Sequence, residues 1–445
     1  MTMIKAKERD ALLQSLKAGV VPRTGQHLIQ VGRVQEIKAL IKDLERVADG
    51  GTMFRLLIGE YGSGKTFFLN LVRAVAMEKK LVTLHADLNP DRRLYSTGGQ
   101  ARSLFAELMK NQATRTKPDG GALVGIVEKF ISTARNEAQT KGIKPDNIIH
   151  EKLNSLTEMV NGYDFATVIA AYWRGFESGQ EQLKSDAIRW LRGEFTTKTD
   201  ARTVLGVRTI VDDASFYDQL KLMSKFVRLA GYAGLLVCLD EMVNLYKLTN
   251  TQSRNANYEQ ILRILNDSLQ GNTEGLGFIL GGTPEFLMDM RRGLYSYAAL
   301  QSRLAENTFA KNGLVDYSHP VLKLSSLSQE EFLVLLGKLR HVFAYGDPSK
   351  YLIEDAGLVA FMEHCNKRIG ESYFRTPRTT ITAFVNLLSV LEQNEGVDWC
   401  SLLGQVNITR DMGFQSDMLV PEKTGGIETN LGGGAEDEFA SFKLQ

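Results

Sequence analysis

Apolar residues recur along this chain with two different periods. Between Glu8 and Ala18, Leu12, Leu13 and Leu16 fall on one helical face, and Gly19-Val20-Val21-Pro22-Arg23 then breaks the pattern, predicting a short helix and a loop. Ile37, Leu40, Ile41 and Leu44 repeat at the same spacing until Gly50-Gly51, which predicts a second helix. Phe54-Arg55-Leu56-Leu57-Ile58 and the run from Leu81 to Asp87 have the length and composition of strands, the second closed by Asn89-Pro90. The run from Gly234 to Glu241 is continuously apolar until it ends in two acids, the form of a central parallel strand covered on both faces. Leu276 to Pro284 reads as a further strand. From Asp91 to about Lys225 the helical period returns, for example over Ala101 to Met109, Leu123 to Ala134 and Phe165 to Ala171, with breaks such as Lys117-Pro118-Asp119-Gly120-Gly121. Ser328-Gln329-Glu330-Glu331 has the capping-box pattern that opens a helix, here the apolar-periodic segment from Phe332 to Leu339. Helical spacing resumes from Leu358 to Cys365 and, after Thr376-Pro377-Arg378, over Ile381, Phe384, Val385, Leu387 and Leu388.

These signals predict an α/β fold with a parallel sheet. The expected units are an N-terminal helical segment over 1–50, an α/β domain over 51–320 carrying a helical insertion at 91–225, a helical domain over 321–400, and a tail over 401–445. From about Pro421 the tail is Gly-rich and acidic and has little to bury, which predicts disorder, with Phe439 and Phe442 beside Asp437 and Glu438 as a docking peptide in the other reading.

At 445 residues the chain fits two or three units of roughly 100 to 200 residues each. Lys and Arg (53) nearly cancel Asp and Glu (52), so the whole-chain field does not favour nucleic acid or membrane, and any DNA contact must be regional. Residues 91–150 carry ten Lys/Arg against six Asp/Glu, an excess that fits a solvated face as well as a nucleic-acid surface. Trp173 and Trp190 read as core anchors or as base-stacking platforms. Cys238, Cys365 and Cys400 lie far apart and the six histidines show no ligand cluster, so neither a disulfide framework nor a zinc site is indicated. With no apolar run near the roughly 18 residues of a membrane span and a charged N-terminus, a cytoplasmic protein is expected.

The candidate chemistry begins after the first strand. Gly59-Glu60-Tyr61-Gly62-Ser63-Gly64-Lys65-Thr66 fits G-x-x-x-x-G-K-[ST] and sits between a strand and a helix, the context the motif requires. The glycines let successive N–H groups and the next helix's N-terminus face phosphate oxygens. Lys65 is expected to reach the β/γ-phosphates and the Thr66 hydroxyl to ligate Mg²⁺, so the chain should bind a nucleoside triphosphate, ATP, with Mg²⁺. At the end of the 234–241 strand, Asp240 is placed to hold the same Mg²⁺ and Glu241 to polarise an attacking water. A buried strand ending in a solvated acidic turn is the plainer alternative. Thr283 follows another strand and either bonds the water or γ-phosphate or simply makes an ST-turn before Pro284. Arg303, in Gln301-Ser302-Arg303-Leu304, is otherwise a surface ion-pair residue.

Taken in order, Val31-Gly32-Arg33, GEYGSGKT, LLVCLDE, GGT, QSRL and a helical domain with TPR resemble the AAA+ superfamily, specifically its Orc/Cdc6-like initiator clade. Leu16 to Arg23, the phrase from Phe54 to Phe67, Asp87-Leu88-Asn89-Pro90, Gly231-Tyr232-Ala233-Gly234 and the long insertion are more specifically similar to the BREX-system ATP-binding proteins of the D type. The resemblance implies an ATPase with a helical lid in prokaryotic anti-phage defence, alongside a helicase, a DNA methyltransferase and a phosphatase-like protein. It implies Walker A at Gly59 to Thr66, Walker B at Asp240 and Glu241, sensor 1 at Thr283 (where the superfamily usually has Asn), an arginine finger at Arg303 and sensor 2 at Arg378. Arg33 matches the box before the Walker strand, at the base pocket. The expected activity is ATP hydrolysis by a DNA-associated switch or motor working as a homo-oligomer with shared sites. A non-hydrolysing ATP-dependent scaffold or loader for a partner helicase is the alternative, and a small-molecule kinase shares only the phosphate loop.

Overall fold

The computed structural model describes residues 3–310, 314–375 and 377–404. Helices α1 (Ala6–Lys17), α2 (Gln26–Ile29) and α3 (Val34–Ala48) precede strand β1 (Thr52–Ile58), and α4 (Lys65–Glu78) leads to β2 (Leu81–Asp87). Seven helices follow before β3 (Gly234–Asp240): α5 (Gln100–Lys110), α6 (Leu123–Lys141), α7 (Pro145–Thr157), α8 (Gly162–Ser178), α9 (Glu181–Leu191), α10 (Lys198–Leu205) and α11 (Phe216–Leu229). Next come α12 (Val243–Tyr246), α13 (Thr251–Gln270), β4 (Leu276–Gly282), α14 (Pro284–Met288), α15 (Ala298–Leu304) and β5 (Val321–Lys323). The described chain closes with α16 (Gln329–Phe343), α17 (Asp355–Ile369), α18 (Ser372–Arg375), α19 (Arg378–Gln393) and α20 (Trp399–Leu403).

The five strands form one parallel sheet in the order β2-β3-β4-β1-β5. Its strands read as nearly unbroken apolar runs because both faces are covered. Met53 and Leu57 of β1 pack with Leu40, Leu44 and Val47 of α3 and Phe68, Leu69 and Val72 of α4, while Phe54, Leu56 and Ile58 face the other side. Arg55 points to the α3 side, where its Nε donates to Asp43 at 2.6 Å. On the opposite face the core runs without a break from the sheet into α5 to α11, so these helices share the sheet's main core. Trp173 and Trp190 are buried in that core. Each indole N–H has a partner, Asp146 at 2.6 Å and the Thr209 carbonyl at 2.8 Å, which is the core-anchor arrangement.

Residues before β1 divide between two cores. Helix α3 packs on the sheet, but Leu12, Leu13, Leu16 and Ile29 are buried with Phe332, Leu336, Phe361 and Phe384 of the C-terminal helices. The Thr382 hydroxyl donates to the Leu16 carbonyl at 2.8 Å, and Arg9 donates to the Phe343 carbonyl at 2.9 Å and to Glu392 at 2.8 Å. The capping box is present: Ser328 Oγ accepts from the Glu331 N–H and the Glu331 carboxylate accepts from the Ser328 N–H. Ser328→Ala should cost about 1 kcal/mol, read as a lower midpoint in denaturant unfolding. An unchanged midpoint would show that the cap adds nothing to packing.

The Gly-rich acidic tail and its Phe439/Phe442 docking peptide lie outside the described residues, as does Thr376. Trp399–Leu403, spanning the expected start of the tail, is helical. Among the described residues no helix is long and apolar enough to cross a membrane.

Candidate functional site

Parallel pairing in register brings the C-terminal ends of the strands to one edge. Asp87 lies opposite Asp240, Ile58 opposite Gly282, and Leu239 opposite Leu280. The glycine loop leaves this edge after β1. Gly62 and Gly64 take φ of +80°, a region costly for residues with a Cβ, and a Cβ at Gly59 would collide with the Ser63 hydroxyl. Among the described residues no backbone–backbone hydrogen bond uses the N–H of Gly62, Gly64, Lys65 or Thr66, so these donors and the start of α4 are available to an anion. Lys65 Nζ donates to the carbonyls of Gly59 at 2.7 Å and Glu60 at 2.9 Å, which holds it over the loop. Burial pushes the Lys65 ammonium pKa down, against Asp240, Glu241, Glu60 and Glu285, which raise it.

The Thr66 hydroxyl donates to Asp240 Oδ2 at 2.7 Å, joining the first turn of α4 to the end of β3. Asp240 Oδ1 accepts the Glu241 N–H at 2.9 Å. Gly281 makes this placement possible, because a side chain there would strike the Asp240 carboxylate. Glu241 has φ of +58°, a conformation uncommon for a residue with a side chain. Desolvation by the surrounding protein, then Asp240 and Asp87, raise the Glu241 pKa, and Lys65 and Lys247 oppose them. A hydroxyl and a carboxylate in contact beside a phosphate-type loop suit a hard cation with oxygen ligands. No group of three or more His, Cys, Asp or Glu among the described residues is arranged to hold a metal by itself. Any cation here would need oxygens from a bound ligand or water.

A cavity of about 290 Å³ opens over the loop. Tyr61 to Phe67 and Glu241 line one end. The other end is apolar, with Val20, Val21, Pro22, Ile29, Val31, Leu327, Leu335 and Ile381. Three separate stretches of sequence supply that wall: the loop after α1, the end of α2 with the turn before α3, and the segment from Leu327 into the C-terminal helices. Arg33 lines the cavity and its guanidinium donates to the carbonyls of Ser63 and Ser325, bridging the glycine loop and the segment that leads to α16. Burial lowers its pKa, with Glu36 and Glu331 opposing. Gly32 is pressed against the Glu331 carboxylate, where a Cβ has no room. Arg378, the first residue of α19, also lines the cavity, and its Nε donates to the Gly19 carbonyl.

Two expected residues stand apart from this cavity. Thr283 follows β4 at the same sheet edge, but its hydroxyl accepts the Phe286 N–H at 3.4 Å and caps α14. Arg303 is exposed in the last turn of α15, and its Nη1 donates to the Ala299 carbonyl of its own helix at 2.8 Å. Among the described residues it forms no ion pair with an acidic side chain. Sequence reasoning missed Gly281 and the apolar wall from Leu327 and Leu335. The glycine pair Gly281-Gly282 at the end of an apolar run was a readable signal of close approach; the others had none.

No curated protein matches this chain. The family model described as BREX system ATP-binding protein BrxC/D matches residues 4–407, and the sheet, glycine loop and cavity described above lie within that span. The chain therefore belongs to the BREX system ATP-binding protein BrxC/D family.

Proposed function

We propose that this protein binds Mg²⁺-ATP in the cavity over the glycine loop and hydrolyses it to drive a switch or motor in a DNA-associated anti-phage complex. The observation that carries this reading is the 2.7 Å bond from Thr66 to Asp240, with Glu241 next in sequence, where Thr66 and Glu241 line a cavity shared by the glycine loop and apolar side chains. The loop N–H groups of Gly62, Gly64, Lys65 and Thr66, with the Lys65 ammonium, bind the phosphates. Thr66 and Asp240 hold the cation, which would polarise the phosphate oxygens. Glu241 takes the proton of the attacking water, and the apolar wall with Arg33 at its floor takes the base.

Arg378 answers the γ-phosphate from α19, exchanging the Gly19 carbonyl for a phosphate oxygen. Thr283 can serve at the same time as cap and as donor, since a hydroxyl that accepts one bond can still give one. Helices α16 to α20, together with α1 and α2, form the lid, and α5 to α11 are the insertion, built on the sheet's own core. Arg303 belongs to the site of a neighbouring copy, a role supported by its exposure and by the lack of an ionic partner among the described residues. Family membership supports the defence context and, with it, partners of the kinds that act beside such ATPases, a helicase, a methyltransferase and a phosphatase-like protein. The test is release of phosphate from ATP by the purified chain with and without Mg²⁺. Binding without turnover would favour a scaffold or helicase loader.

A further inference from the structure

Glu241 is held in its left-handed conformation by a neighbour that the proposed chemistry does not use. Asn244 sits in the short helix α12 after β3. Its Nδ2 donates to the Leu88 carbonyl at 2.8 Å and to the Glu241 carbonyl at 3.2 Å, and its backbone N–H donates to the same Glu241 carbonyl at 3.0 Å. Both side-chain partners are carbonyl oxygens, so the amide must present its NH₂ to them. Leu88 in turn donates its N–H to the Asp240 carbonyl at 3.0 Å, and Met242 donates to Gly281 at 3.0 Å. The two-residue acidic turn is thus tied on one side to β4 and on the other to the first residue beyond β2, where the chain leaves the sheet for α5.

A residue with a side chain at φ of +58° persists only where its surroundings over-determine it. Among the described residues the Asn244 amide makes the one side-chain bond to the Glu241 carbonyl, and its second bond ties that turn to the Leu88 carbonyl. We infer that Asn244 is a positioning residue for hydrolysis: its side-chain amide sets the direction in which Glu241 meets the attacking water and links that direction to the root of the α5 to α11 helices. The inference rests on the reading of Glu241 as the water-activating group. Since Asn244 does not line the nucleotide cavity, its loss should alter turnover and leave ATP affinity in place.

The experiment measures kcat and ATP affinity for Asn244→Ala, for the volume-preserving Asn244→Leu, for Glu241→Gln, and for Glu241→Gln combined with Asn244→Ala. Loss of alignment of order 1 Å costs roughly 10-fold to 100-fold in rate, so both Asn244 variants should lose turnover on that scale with ATP affinity kept. The combined variant should be no slower than Glu241→Gln alone, because Asn244 acts through that carboxylate. Wild-type turnover in the Asn244 variants, parallel loss of ATP affinity, or additive losses in the combined variant would overturn the inference while leaving a slow Glu241→Gln intact. Normal turnover in Glu241→Gln itself would instead remove the underlying assignment.

Discussion

Arg303→Ala is expected to lower ATP turnover by roughly 10³ to 10⁵, the range an arginine finger supplies, without weakening ATP binding to the same chain. Guanidinium is suited to the task because its planar, permanently charged fork meets phosphate oxygens and stabilises transition-state charge. Arg303 is exposed and, among the described residues, bonds only a carbonyl of its own helix, with no local ion pair. Exposed apolar residues also occur in the same part of the chain. Met288 and Met290 are exposed nearby in sequence, Met290 within 3.7 Å of Gln301, and Phe309 is 86% exposed. If a second copy covers this face, activity rises more than linearly with protein concentration. Mixing an inactive Lys65→Ala chain with an inactive Arg303→Ala chain should restore some turnover, since one supplies a finger and the other an intact loop. Wild-type turnover in Arg303→Ala, or the absence of rescue with strictly linear activity, would leave a site complete within one chain.

Glu241→Gln should slow hydrolysis on the order of 100-fold or more, the contribution of a positioned base, with nucleotide binding retained. If Glu241 is the base, the wild-type chain should also show an acidic limb in its rate profile. Surrounding protein and the neighbouring Asp240 and Asp87 carboxylates raise the Glu241 pKa, so the base gains its proton, and turnover falls, at a pH above the ordinary carboxylate value. Glu241→Gln has no such group to titrate, and the limb should vanish from its residual rate. Unaltered turnover in this variant would favour the ATP-dependent scaffold.

The strands and the glycine turn between β1 and α4 were legible because their signals are local. Phe54 to Ile58, Leu81 to Asp87 and the runs ending at Asp240 and Gly282 are mostly apolar on both faces, and a parallel sheet is the structure that buries such runs. The capping box at Ser328 was equally local, since all its bonds close within four residues. Helix α13 was not anticipated: its 20 residues carry Arg254, Asn257 and Ser268 on the buried side, so hydrophobic spacing alone understates it. The division of the N-terminal helices between two cores was also illegible. Periodicity shows that Leu12, Leu13 and Leu16 form one face, and it does not show that Phe343 and Phe384 cover it from more than 300 residues away. The same reason hid the cavity's apolar wall, which exists only when residues 20–31, 327–335 and 381 meet. Arg33 and Arg378 gained geometric meaning only there, one bonded to the Ser63 carbonyl and the other to that of Gly19.

All of these effects presuppose that the cavity is an ATP site in which Lys65 meets the phosphates. Calorimetric titration of the wild-type chain and Lys65→Ala with ATP and Mg²⁺ tests that directly. The wild-type chain should bind, and Lys65→Ala should bind at least tenfold more weakly, a loss of about 1.4 kcal/mol or more. Equal affinity of the two chains for ATP would contradict the assignment of the glycine loop.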